Sequence, residues 1–129
     1  MRTKPCLTSA DVAKMMAACL AEAEKNKWNV AVAILDDGGH LLAFQRMDGT
    51  GAISAEVAIG KARTSALTKR PSKFFEERVK ERPGFVTFPA GMLIQGGCRS
   101  CTRTSAIGVS GVASHEDEQI ARAGVKALG

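Results

Sequence analysis

Tyrosine is absent from the 129 residues, and phenylalanine and tryptophan together supply only 5% of them. A chain with so few flat rings has little with which to stack nucleobases. Its 18 Lys and Arg residues are also interspersed with 13 Asp and Glu rather than gathered into one stripe. The net charge of +5 therefore does not point to nucleic acid; it suits a surface that steers small carboxylates or propionates, or one that is simply well solvated. No apolar run approaches the roughly 20 residues needed to cross a bilayer. The amino terminus lacks the basic-then-apolar pattern of a secretory leader. No membrane partner is expected, and the expected location is cytoplasmic. The four cysteines, Cys6, Cys19, Cys98 and Cys101, are too few to staple a chain of this length, which has ample apolar residues for a core. No Gly-x-Gly-x-x-Gly opens a helix after a strand, so a dinucleotide site is not supported.

What the chain does have is a hydrophobic fraction of 45% and a charged fraction of 24%, the balance of one globular domain over residues 1–129. Its organising stretch is residues 28–48. The apolar run 30–35 reads as a strand buried on both faces. Asp36-Asp37-Gly38-Gly39 then supplies residues suited to a tight primed turn. The returning strand, 41–47, carries Leu42, Phe44 and Arg46 on one face and Leu41, Ala43, Gln45 and Met47 on the other. A charge thus appears near the end of an otherwise apolar strand.

Thr8 and Asp11 have the form of a capping box ahead of a helix whose inner stripe is Val12, Met15, Met16, Cys19, Leu20 and Ala23. Its methionines and Cys19 read as core filler. A second helix over about 52–69, with Thr50 or Ser54 as candidate caps, has an inner face of small residues including Ala55, Ala58, Gly60, Ala62 and Ser65. Such a face permits close packing. Pro71 ends it, and Ser72 is placed to cap a short third helix. Residues 85–88, 92–94 and 106–109 read as three further strands. Ser114 with Asp117 signals the start of a last helix. The order predicts an α+β fold with an antiparallel sheet of about five strands.

Three stretches, VAILDDGGHLLAFQRMDG, the helix from Glu56 through KARTSAL, and SAIGVSG followed by HEDEQIARAG, resemble the GlcG/HbpS family, also called haem-degrading domain proteins. The resemblance spans nearly the whole chain. It implies a profilin-like α+β fold, a homo-oligomer, and a role tied to small or tetrapyrrole ligands. Relatives include haem-binding proteins, a protein of glycolate-utilisation operons and a domain appended to corrinoid adenosyltransferases. Here, unlike the family pattern, Gly96-Gly97 is followed at once by Cys98-Arg99-Ser100-Cys101 and a shorter connection.

The candidate site residues are His40, Arg46, Asp48, Lys61, Gly108 and Gly111. His40 follows the Gly-Gly turn and is the candidate ligand to a haem iron; as a solvent-exposed turn histidine it would have no such role. Arg46 and Lys61 could converge on a carboxylate or propionate at the rim of a common pocket, with Asp48 and Arg63 nearby. Internal salt bridges would account for the same residues equally well. An acid-base role for Lys61 would require burial that lowers its pKa. Gly108 and Gly111 bring backbone amides close to whatever lies over their strand, be it an anion or a tightly packed helix. Cys98-x-x-Cys101 can be incidental thiols, a reversible disulfide or half of a metal site. The leading expectation is a ligand-binding or accessory protein taking haem or a related tetrapyrrole. The alternatives are a small enzyme acting on a carboxylate metabolite through Lys61 or Asp48, and an oligomeric assembly module for a partner enzyme.

Overall fold

The apolar run 30–35 needs cover on both faces, and it finds it. The computed structural model describes residues 1–89, 91–100 and 104–129. In it, β1 (Ala31–Asp36) lies inside a sheet between β2 (Leu41–Arg46) and β4 (Ser105–Ser110), and β3 (Gly97–Arg99) pairs with the far side of β4. Every pairing is antiparallel, giving the order β2-β1-β4-β3. The helices are α1 (Ser9–Lys25), α2 (Ile53–Thr68), α3 (Ser72–Glu81) and α4 (Ser114–Lys126). This is the expected α+β class, with four strands among the described residues instead of about five.

Side chains on the two faces of the sheet differ in size, and that difference sets the layers. Val30, Val32, Ile34, Ile107 and Val109 face α1 and α4 and interlock with Met15, Met16, Cys19 and Ile120. Ala31, Ala33 and Leu35 face α2, meeting Ala58 and Ala62, with Ile59 partly buried beside them. With Gly108 of β4 beneath Ala58 and Ala62, α2 comes down close on that strand. A Cβ added at Gly108 would stand 2.0 Å from the Ala58 carbonyl oxygen and 2.5 Å from the Ala62 nitrogen. At Gly97 it would meet the Lys61 carbonyl at 2.4 Å.

Local signals held where the partners were near in sequence. The Thr8 hydroxyl accepts from the Asp11 N–H, and the Asp11 carboxylate accepts from the Thr8 N–H. The Thr8 N–H, and the Thr8 hydroxyl donating to the same oxygen, hold the Asp11 carboxyl below the usual carboxylate range. The β1–β2 connection is tight but is not a two-residue primed turn. Asp36 accepts from the Gly39 N–H, only Gly39 takes a positive φ (83°), and the Asp36 N–H closes onto the His40 carbonyl. That is a three-residue loop, a type I turn followed by a left-handed glycine.

Other expectations are corrected. Residues 83–87 form a 3-10 turn where a strand was expected over 85–88. Three-residue spacing brings Phe85 and Phe88 to the same side, where both pack on Phe75; a strand would split them between two faces. Residues 92–94 are not a strand either: the Met92 N–H donates to the Gly60 carbonyl and the Thr64 hydroxyl to the Met92 carbonyl, which ties the segment to α2. Neither Thr50 nor Ser54 caps α2, whose cap position is Ala52, and Ser72 accepts from the Gly97 N–H instead of capping α3. At α4 the cap position is Ala113 and not Ser114, so no side chain caps the first turn; Glu116 accepts from the Ala113 N–H, and Asp117 is left for another contact. Ala90 and the connection 101–103 lie outside the described residues.

Because backbone atoms of α2 occupy the space above Gly108, Gly108→Ala should cost about 3 kcal/mol in urea denaturation. Gly51, with nothing within 4 Å of an added Cβ, is the control. Gly51→Ala should change stability by no more than about 0.5 kcal/mol.

Candidate functional site

Lys61 sits on the sheet-facing side of α2 and is buried. Its ammonium donates to the Asp117 carboxylate at 2.8 Å and to the Val109 carbonyl at 2.9 Å, and the two side chains are 3% and 2% exposed. Asp117 also accepts from the Val112 N–H at 3.2 Å. One ammonium therefore joins α2, the end of β4 and the first turn of α4. Burial pushes the Asp117 carboxyl above the usual carboxylate range, against the pull of Lys61 and the Val112 amide. Asp117 is the partner that sequence reasoning missed. Its only signal was a surplus acid among Glu116, Asp117 and Glu118, where one suffices for the cap.

The other expected site residues divide between the interior and the β2 edge. Gly108 lies under α2. Gly111, at φ 145°, lets the chain pass the Asn29 carbonyl, which an added Cβ would approach to 2.5 Å. Both glycines accommodate protein backbone. Arg46 and Asp48 share a shallow cleft of about 300 Å³ with Glu24, Asn29, Gln45 and Met47, and no ion pair joins the two. Lys61 is not in its wall, so the structure does not bring Arg46 and Lys61 to one rim.

What lies near His40 is the outer half of α2. The glycine turn rests against it: a Cβ built on Gly39 would be 3.3 Å from Leu67 Cδ2 and 3.8 Å from Arg63 Nε. The His40 ring is 82% exposed, with Nδ1 3.3 Å from Asp36 Oδ1. Burial of Asp36 works against its charge, yet the amides of His40 and Gly38 and the His40 ring hold its carboxyl below the usual range. This fixes the turn and leaves the imidazole reachable. Beyond it runs β2, the unpaired edge of the sheet, where Leu41, Leu42 and Phe44 remain exposed. Phe44 and Arg46 stand opposite Ala33 and Ala31, hence on the face that α2 covers further in. A second groove of about 420 Å³ follows this edge, walled by Leu7, Ala13 and Met16 of the α1 side and by Leu42 and Phe44.

His115 borders a polar hollow with Glu22, Glu118 and Arg122. Cys98 is buried, its thiol pushed up to about 12 by burial, and so is inert near neutral pH. Its expected companion Cys101 lies outside the described residues. Among the described residues no group of three His, Cys, Asp or Glu side chains could hold a metal ion, and no helix is long and apolar enough to cross a membrane.

Comparison with known proteins agrees with the fold. Residues 7–126 match the family model described as haem degrading protein HbpS-like. GlcG of Escherichia coli K12 is 42% identical over 113 residues, which is 87% of this chain and 84% of that protein. The structure of a double mutant of Streptomyces reticuli HbpS superposes with a TM-score of 0.92 at 32% identity, covering all of this chain and 91% of that one. A PduOC–haem complex has the same fold, with a TM-score of 0.84 at 23% identity over 95% of each chain.

Removing one member of the buried pair should be costly. Lys61→Met should lose about 3–5 kcal/mol of stability at neutral pH, while Lys61→Met/Asp117→Leu should lose less. In Lys61→Met the Asp117 carboxyl, already raised by burial, loses its counter-charge and rises further. The folded state then binds a proton that the unfolded state has released, so stability falls as pH rises from the ordinary carboxylate value through the raised one. Urea midpoints from pH 4 to pH 7 should show the variant's deficit growing with pH.

Proposed function

The chain belongs to the HbpS-like family, and on that basis we propose that it is a small-ligand-binding accessory protein that takes haem or a related tetrapyrrole. The family match over residues 7–126 carries this reading. Two relatives of the same fold support it, HbpS and a PduOC domain crystallised with haem.

The ligand surface we assign is the outer face of β2 with the glycine turn. A tetrapyrrole is a flat apolar disc with carboxylates on one side, so its site needs exposed apolar area, cations at the margin and an accessible iron ligand. Leu42, Phe44 and Leu67 offer the first, Arg46 and Arg63 the second, and His40 the third. Asp48 borders the Arg46 cleft. Bound iron would supply redox and ligand-exchange chemistry; the protein's part is to hold the ring and one axial position. Lys61, Gly108 and Gly111 serve this surface from within, by fixing α2 and β4. An enzymatic role for Lys61 finds no support in the geometry, since its ammonium is enclosed by Asp117 and Val109.

Hemin titration tests the reading. The wild-type protein should give a shifted Soret band saturating near one equivalent, and His40→Ala should weaken binding by about tenfold or more and move the band. Absence of a shifted band in the wild type rejects the haem reading. A wild-type spectrum from His40→Ala rejects only the axial assignment.

We further propose that the protein is a homo-oligomer that covers the α1 side of the groove beside β2 and leaves the assigned ligand surface open, because an edge strand paired only to β1, with Leu41 exposed, is an edge that proteins bury. Light scattering after gel filtration should give a multiple of 13.6 kDa. Ala13→Glu, on the exposed α1 wall of the groove, should return the mass to that of one chain; a 13.6 kDa wild type would exclude assembly.

A further inference from the structure

At the opposite edge of the sheet, beyond β3, a cavity of about 330 Å³ opens between the α2–α3 turn and the last turns of α4. Its walls are Pro71, Cys98, Arg99, Arg122, Val125 and Lys126, three of them cationic and none acidic. Arg122 has a partner in Glu118, which accepts from its Nε and Nη2, and neither bond uses Nη1. Arg99 is less well satisfied: its Nη1 is buried with no hydrogen-bond partner. An unpartnered guanidinium nitrogen withdrawn from water is unfavourable; Nη1 itself is enclosed, but Arg99 lines the cavity, and a small turn of its side chain would bring that donor to an oxyanion bound there.

From this we propose a second binding site, which takes a small organic dianion. With Glu118 offsetting one of three cations, the cavity keeps two positive charges, which match a phosphate monoester or a dicarboxylate. Arginine supplies the paired donors that both oxyanions accept. Pro71, Val125 and the Cys98 thiol form the remaining wall and give a short hydrocarbon stem something to lie against. That thiol is held neutral by burial, so it adds no negative charge and is no nucleophile. The site is for binding. It is independent of the β2 surface and of whether that surface takes haem.

Calorimetric titration with inorganic phosphate, propyl phosphate and succinate tests the proposal, with amide shifts in NMR spectra locating the contact. Propyl phosphate or succinate should bind more tightly than inorganic phosphate, shifting the amides of Cys98, Arg99, Val125 and Lys126. The tighter of the two identifies the oxyanion class. Arg99→Gln and the exposed Lys126→Gln should each weaken binding by about tenfold, whereas Lys80→Gln on α3, an equal loss of charge elsewhere, should leave it within about twofold. Three results would overturn the site: no binding by the wild type up to about 10 mM, equal weakening by Lys80→Gln, or no preference for the stem-bearing probes over inorganic phosphate.

Discussion

How closely α2 lies on the sheet decides where everything else can be. Gly97 and Gly108 remove the side chains that would hold it off, and Ala58 and Ala62 present nothing that would. At that separation the Lys61 side chain cannot reach solvent by running along the sheet, and it ends instead at Asp117 and the Val109 carbonyl. The ion pair is thus a product of the close approach, and it also locks it. To lift α2 would be to leave two charges in the interior without partners, which is worse than never having had them there. The small-residue face, an apparent weakness in helix propensity at Gly60, is what the arrangement requires.

The same constraint sorts the residues that looked functional. Those beneath α2 became framework, and those beyond its margin remained available. His40 and Arg46 stay outside because β2 is the edge strand and α2 does not extend over it. Arg63 and Leu67, on the outer side of α2, meet the glycine turn there. The cation that α2 presents outward is Arg63, half a turn from Lys61 on the helix surface, and it meets the glycine turn at the start of β2, whereas Arg46 closes the strand's other end beside Asp48.

Features whose cause is local were legible in the sequence. Thr8 and Asp11 are three residues apart and pair as expected; the 30–35 run could only be an interior strand. Lys61 and Asp117 are 56 residues apart, and nothing in periodicity or charge pattern links them. The strand assigned to 85–88 failed for a related reason. The aromatic and β-branched run Phe85-Val86-Thr87-Phe88 fits a strand in isolation, and only the presence of Phe75 shows that Phe85 and Phe88 must share a side. The family resemblance recovered the fold because it sums many such distant constraints. It could not say which of the basic residues face outward.

Strand order has one more effect. β2 and β3 are the outermost strands, separated by β1 and β4, so three inter-strand steps of about 4.8 Å lie between them, roughly 14 Å across a rigid, fully hydrogen-bonded floor. A large disc seated on one flank and a small charged metabolite on the other would never touch. Any communication between them would have to pass through the slab itself, along α2 and its buried ammonium. Whatever is held beside β2 and whatever is held beyond β3 would thus occupy opposite margins of one sheet.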